Sequence, residues 1–272
     1  LVDIERILDN EGGRAILHMP TGSGKTRTAM NLVSKQLNRS KGVVLWLAHS
    51  EELCEQAAEE FEDFEEFEEA VCKVTNAKYS IAVNSGTAAL HCSMHSIGIR
   101  PGDEVIVPSM TFAATANSVV YQGAKPIFAD VNKENLLIDC ENIEAKITKN
   151  TKAVIVVDYA GHPVDYDSLR QLSKKYNLNL ISDSCHAIGA KYNNKDIGSL
   201  ADMSTFSFHP VKHITTGEGG AVTTDSYNIH KKIKSFRNHG ISSDHREREK
   251  NGSWFYEMDD IGFNYRINDF QC

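Results

Sequence analysis

The sequence has no long apolar run, no paired cysteines and no excess of positive charge. No stretch approaches the ~20 apolar residues that a membrane-spanning helix needs, and no secretory leader is recognisable, so neither a membrane protein nor an exported one is expected. Its six cysteines, Cys54, Cys72, Cys92, Cys140, Cys185 and Cys272, form no CxxC pair and have no metal-ligand spacing. That argues against a disulfide framework and against a metal site, and it suits a reducing cytoplasm. The formal net charge is -8. A general nucleic-acid grip needs a basic face, so nucleic acid is not an expected partner, although a small basic pocket for a phosphorylated ligand stays open. There is no internal repeat and no low-complexity linker. The chain begins with Leu1 rather than Met, so an upstream piece is expected.

What is present is an ordinary globular composition. The 272 residues are 41% hydrophobic and 24% charged, enough for one large domain or two small ones. The style of the sequence changes near residue 63. Before it, an apolar run at Ala15 to Met19 leads into Pro20-Thr21-Gly22-Ser23-Gly24-Lys25-Thr26, a phosphate-binding loop. Gly22 and Gly24 let backbone N–H groups close around phosphate oxygens, Lys25 adds a point charge, and the Thr26 hydroxyl can reach Mg²⁺. A second buried strand is expected at Val43 to Leu47, followed by an acidic helix from Glu51 to Glu62 with further acids through Glu69, read as a solvated face. With Val43 to His49 and Glu52 to Gln56, this stretch resembles the first two motifs of superfamily 2 helicases. The resemblance implies a partial P-loop α/β segment over residues 1–63 with weak binding of ATP and Mg²⁺. Turnover is not expected, because no strand ending in Asp-Glu follows and no arginine finger is found; Asp158 ends a strand but precedes Tyr159.

Beyond the seam, strand signals at Ser80 to Val83, Glu104 to Val107, Ala153 to Val157, Leu178 to Ser182 and Ser204 to Phe208 alternate with helical stretches such as Thr87 to Ile97 and Tyr166 to Tyr176. Gly219 to Thr224 reads as one further strand. The pattern predicts an α/β fold with a mainly parallel sheet covered on both faces. Five segments carry chemistry. Ser207-Phe208-His209-Pro210-Val211-Lys212 runs into Gly217-Glu218-Gly219-Gly220, which sets Lys212 between a strand and a glycine-rich turn. Leu180-Ile181-Ser182-Asp183 puts a carboxylate at a strand's carboxyl end, where ligands of parallel sheets bind; a helix N-cap is the competing use of Asp183. Val83-Asn84-Ser85-Gly86-Thr87 reads as strand, turn and helix start, whose free N–H groups suit phosphate. Pro108 to Asn117 includes Phe112, either a core residue or a stacking one. Gly262 to Asp269 includes Asn264, otherwise a turn residue.

Taken in this order, the five segments resemble DegT/StrS-type nucleotide-sugar aminotransferases over residues 64–272. That resemblance implies the large domain of a fold-type I enzyme that uses pyridoxal 5'-phosphate (PLP), without the C-terminal small domain. By resemblance, Lys212 is the Schiff-base lysine, Asp183 pairs with the pyridine nitrogen, and His186 touches the cofactor's phenolic oxygen. Ser207, Gly86 and Thr87 hold the phosphate, Phe112 stacks on the ring, and Asn264 reaches the phosphate of a neighbouring subunit's cofactor, which presupposes a homodimer. His209 stays open between a buried, hydrogen-bonded histidine and a direct role. A lysine at 212, rather than a histidine, points away from the family's dehydratase branch. Val157 to Asp165 and Ser207 to Val222 look most like transaminases that act on a UDP-4-keto-6-deoxy-N-acetylhexosamine in pseudaminic-acid formation, with glutamate as amino donor. The rival expectations are a helicase-like ATP-binding fragment and an inactive join of two gene fragments.

Overall fold

The computed structural model describes residues 63–241, 257–268 and 271. The P-loop residues Gly22, Gly24, Lys25 and Thr26, and the rest of the helicase-like reading, lie outside the described residues. Those described from Glu65 onward form one compact unit.

Helix α1 (Asp63–Thr75) leads into β1 (Tyr79–Val83), α2 (Gly86–Ser96), β2 (Glu104–Pro108), α3 (Ala113–Tyr121), β3 (Lys125–Ala129), the short α4 (Cys140–Glu144) and β4 (Thr151–Val157). Then come a 3₁₀ turn (Tyr159–Gly161), α5 (Tyr166–Tyr176), β5 (Asn179–Asp183), the hairpin β6 (Lys191–Tyr192) and β7 (Lys195–Asp196), β8 (Met203–Ser207), β9 (Gly220–Thr224) and α6 (Tyr227–Phe236). Seven strands form one sheet in the order β1-β9-β8-β5-β4-β2-β3. All neighbouring pairs are parallel except those of β9, which runs antiparallel to both β1 and β8. The mainly parallel sheet expected from the sequence is therefore present.

Strands β1, β2, β4, β5, β8 and β9 are buried on both faces, and their two-residue period sorts the core into two layers. Ile106, Val154, Val156, Leu180 and Phe206 point to one side, where Tyr166, Leu169 and Leu172 of α5 cover them. Val105, Val107, Ala153, Ile155 and Ile181 point to the other, under Leu90 and Met94 of α2, Val119 of α3 and Ile233 and Phe236 of α6. Helix α5 is closed at both ends: Asp165 accepts from the Ser168 amide, and Asn177 ends it in the left-handed conformation at φ 53°.

This topology decides where the site lies. Because β9 is antiparallel to both neighbours, β1 runs in the same direction as β8, β5, β4 and β2. Their carboxyl ends gather at one edge of the sheet, carrying Ser85, Ser207, Asp183 and Asp158. Gly220, the first residue of β9, pairs with both Val83 and Ser207. A Cβ there would lie 2.5 Å from the carbonyl carbon and oxygen of Ser85, so only glycine lets β9 pass so close to the turn that opens α2.

Candidate active site

A cavity of about 350 Å³ opens at this edge, and Gly86, Thr87, Phe112, Asp183, His186, Ser207 and Lys212 all line it. These are seven of the eight PLP-site residues expected from the sequence, drawn from segments as far apart as 86 and 212. Asn264 does not line it. Asn264 is exposed and bridges to Asn238. Its segment is nonetheless tied to the cavity's rim, for the Asn84 amide donates to the Tyr265 carbonyl at 2.9 Å.

Each lining group has a local cause. Lys212 lies on the loop between β8 and β9. The ends of that loop are clamped: the Phe208 amide donates to the Gly219 carbonyl at 2.9 Å, and the Thr216 amide returns to the Phe208 carbonyl at 3.1 Å. The Thr215 hydroxyl donates to the same carbonyl at 2.8 Å. Phe208 is fully buried and meets Phe67 of α1 edge to face. The Lys212 amide donates to the His209 carbonyl, so the lysine leaves a tight turn and is half-buried rather than loose on the surface.

Asp183 is the last residue of β5 and 6% exposed. No helix follows it, which removes the N-cap alternative. Its Oδ2 accepts from the Thr115 hydroxyl at 2.8 Å and its Oδ1 from the Cys185 amide at 3.3 Å. Cys185 and His186 both feel the charges of Asp183 and Lys212. Burial, then the negative charge of Asp183, pushes the Cys185 thiol well above its ordinary value, so it stays a neutral thiol. Burial, then the positive charge of Lys212, pulls His186 down, with Asp183 opposing.

The turn at Ser85 is a phosphate-sized cradle. The Ser85 hydroxyl caps α2 by accepting from the Ala88 amide at 3.1 Å. Among the described residues, the amides of Gly86 and Thr87 have no acceptor, and such first-turn donors form an anion site. A Cβ on Gly86 would lie 2.9 Å from Ser207 Cβ and 3.2 Å from Cys185 Sγ, so the glycine is what lets this turn and the Ser207 hydroxyl face one space. Phe112 is 76% exposed at the N-terminus of α3; it is not a core residue but borders the cavity.

Several neighbours of the site carry only a faint mark in the sequence. Asp158, read only as a failed metal-binding acid, is fully buried at the end of β4. It accepts from the Val164 amide and from the hydroxyls of Tyr166, Ser182 and Ser184 at 2.7–3.1 Å. Burial raises its pKa, and those four bonds oppose the rise. The alternation of Ser182 and Ser184 around Asp183 was the available signal. His209 and Glu218 also line the cavity and face each other at 3.6 Å, which gives His209 a place at the site rather than in the core. Among the described residues, no group of three or more His, Cys, Asp or Glu could hold a metal ion, and no helix is long and apolar enough to cross a membrane.

The lining suits PLP on these observations: an amine, a buried carboxylate, and a hydroxyl and two free amides around a gap that a single methyl group would fill. Known proteins agree in sequence and fold. The model of the DegT/DnrJ/EryC1/StrS aminotransferase family matches residues 48–272. That match begins inside the stretch assigned above to a P-loop segment and includes the Glu52 to Gln56 motif. The chain is 43% identical over 207 residues to a UDP-4-amino-4,6-dideoxy-N-acetyl-beta-L-altrosamine transaminase of Campylobacter jejuni, covering 75% of this chain and 53% of that protein. An aminotransferase of Helicobacter pylori involved in the biosynthesis of pseudoaminic acid superposes with a TM-score of 0.70 at 38% identity, over 78% of this chain and 56% of that one. A putative sugar aminotransferase of Streptococcus pneumoniae, in its PLP form, gives a TM-score of 0.71 at 28% identity over 95% and 64% of the two chains. The chain spans about half the length of the curated relatives it matches.

Proposed function

The chain belongs to the DegT/DnrJ/EryC1/StrS aminotransferase family, and from that premise we propose that it serves PLP-dependent transamination of a nucleotide-linked keto sugar, with glutamate as amino donor. The observation that carries this reading is one cavity lined by Lys212, Asp183, Ser207 and the free first turn of α2. When bound, PLP supplies an aldehyde that captures amines and a ring that takes up the electron pair left when a Cα proton departs. Ser207 and the Gly86 and Thr87 amides hold the phosphate. Asp183 keeps a buried negative charge for the protonated ring nitrogen, since an anion there needs an ionic partner. Phe112, at the cavity's edge, would stack on the ring. Lys212 would hold the cofactor through its amine and, when that amine is free, would take the proton from Cα as general base and return it as general acid. In balance, the C–N bond of glutamate becomes the C=O of 2-oxoglutarate, and the C=O of the sugar becomes CH–NH₂.

The sugar we assign is a UDP-4-keto-6-deoxy-N-acetylhexosamine. The names of the Campylobacter and Helicobacter relatives support that class. We assign a homodimer as the working form. Large apolar side chains stand exposed beside the cavity, Phe112 at its edge and Val211 and Ile214 on the Lys212 loop, and a second copy would cover them.

The test is release of 2-oxoglutarate from glutamate by the PLP-loaded chain, followed by amination of the UDP-linked keto sugar. Release should vanish in Lys212→Ala. Release that persists in that variant, or a wild-type chain that takes up PLP and releases nothing, contradicts the proposal.

A further inference from the structure

Asp183 does not stand alone in the cavity wall. Its Oδ2 accepts the Thr115 hydroxyl at 2.8 Å, and the Thr111 and Thr115 hydroxyl oxygens lie 2.7 Å apart. The direction of this chain follows from chemistry. Ionised Asp183 can only accept, so Thr115 must donate to it. With its one proton committed, Thr115 can only accept from Thr111. We propose that Thr111 and Thr115 form a directed hydroxyl relay that fixes the Asp183 carboxylate, making Thr115 the positioning residue for the acid that meets the cofactor's ring nitrogen. This rests on the PLP reading of the site given above.

Four observations support it. Thr115 is fully buried and its side chain has no solvent to turn to. Its amide donates to the Phe112 carbonyl at 3.1 Å, so the proposed stacking residue and the proposed positioning residue share one helical turn. The first turn of α3 lacks a side-chain cap; its free amides put positive potential at the helix end that Thr115 projects from, which favours a carboxylate beside it. Finally, the carboxylate's other partners are weaker donors, the Cys185 amide at 3.3 Å on Oδ1 and the Cys185 thiol, so the Thr115 hydroxyl at 2.8 Å is the strongest constraint on it, leaving lone pairs for a ring N–H. Thr111 lines the cavity, which places the open end of the relay where a ligand arrives. A hydroxyl chain ending on a charge is polarised along its length and is stronger than its bonds taken singly.

The experiment compares PLP affinity and the pH at which the bound cofactor's visible band shifts in the full chain, in Thr115→Val, Thr115→Ser and Thr111→Val. Loss of a hydrogen bond to a charged group predicts about tenfold weaker PLP binding and a displaced band titration in Thr115→Val. Thr115→Ser keeps the hydroxyl and restores both to near wild type. Thr111→Val, at a half-exposed position that tolerates change, weakens binding about threefold by removing the donor to Thr115. Wild-type affinity and titration in Thr115→Val overturn the proposal. So does a Thr115→Ser variant as impaired as the valine variant, since the methyl packing would then be what matters. Should Thr115→Val fail to fold, Thr111→Val decides alone, and unchanged binding there counts against the relay. If the wild-type chain takes up no PLP, the family reading of the site fails separately. The relay is then judged without ligand by urea unfolding of Thr115→Val, Asp183→Ala and the double variant: a double loss smaller than the sum supports it, and strict additivity overturns it.

Discussion

Gly86→Ala tests the close approach on which the proposed phosphate cradle depends. The added methyl would lie 2.9 Å from Ser207 Cβ, 3.2 Å from Cys185 Sγ and 3.3 Å from Ser207 Oγ. Carbon atoms in contact prefer about 3.5–4.0 Å, so Ser207 or α2 must move by roughly half an ångström or more. Neither yields easily. Ser207 pairs with Gly220 in the sheet, and Gly220 itself abuts the Ser85 backbone. Alanine gains up to about 1 kcal/mol over glycine in a helix interior, and less at this first position. Overpacking costs about 1–3 kcal/mol. Destabilisation by about 1 kcal/mol or somewhat more is the expected net result, read as a urea midpoint lowered by about 0.5 M for a slope near 2 kcal/mol/M. PLP affinity should fall at least about tenfold, because the displaced Ser207 hydroxyl loses its charge-assisted bond to phosphate. Gly98→Ala is the control. Gly98 sits at φ +74° with nothing within 4 Å of an added methyl, so it should cost about 1 kcal/mol in backbone strain and leave PLP binding alone. If Gly86→Ala kept both the midpoint and the affinity, the tight cradle would be wrong.

Two further outcomes are expected. Asp183→Ala removes the buried carboxylate and should weaken PLP binding about a hundredfold, as breaking a buried charge pair does; unchanged affinity and turnover would contradict its assigned role. His91 is buried among Tyr121, Phe236, Phe263 and Tyr265, and burial, then the charge of His95, lowers its pKa from 6.5 to about 4. Its folded form therefore stays neutral where the unfolded chain takes up a proton, so this stabilisation is present above pH 6.5 and lost as pH falls towards 4. Allowing for solvent screening, wild type should lose about 1 kcal/mol more than His91→Phe between pH 7 and pH 5. Parallel urea midpoints across that range in the two proteins would refute it.

The site was legible where chemistry is local in sequence. Lys212 was marked by a strand before it and glycines after it, and Asp183 by its place at the end of a buried apolar run. The strands of the sheet's interior were visible for the same reason: Val154, Ile155 and Val156, or Leu180 and Ile181, can be buried on two faces only in a covered sheet. The edge strand β3 was not anticipated. Its Lys125-Pro126-Ile127-Phe128-Ala129 run is mostly exposed or half-buried, and a proline tolerated at an edge reads against a strand. Helix α3 begins at Phe112, which caps nothing with its side chain, so no start signal announced it, and Thr115 went unnoticed with it. Helix α6 could have been found: Ser226 caps it, and Ile229, Ile233 and Phe236 follow at helical spacing. The antiparallel direction of β9 leaves no mark in an apolar pattern, yet it is what brings Ser85 beside Ser207. Asp158 stayed obscure because its partners Tyr166, Ser182 and Ser184 lie on separate elements, and only the fold assembles a buried acid with four donors.

One measurement bears most directly on the claim that Lys212 carries the cofactor. The full chain is incubated with PLP, reduced with borohydride and digested, and its peptides are sequenced by mass spectrometry. A single reduced adduct, on Lys212, is expected, with its marked loss in Asp183→Ala at limiting PLP. A chain that carries no adduct, or carries it on exposed lysines such as Lys174 or Lys195 while Lys212 stays free, would contradict that claim.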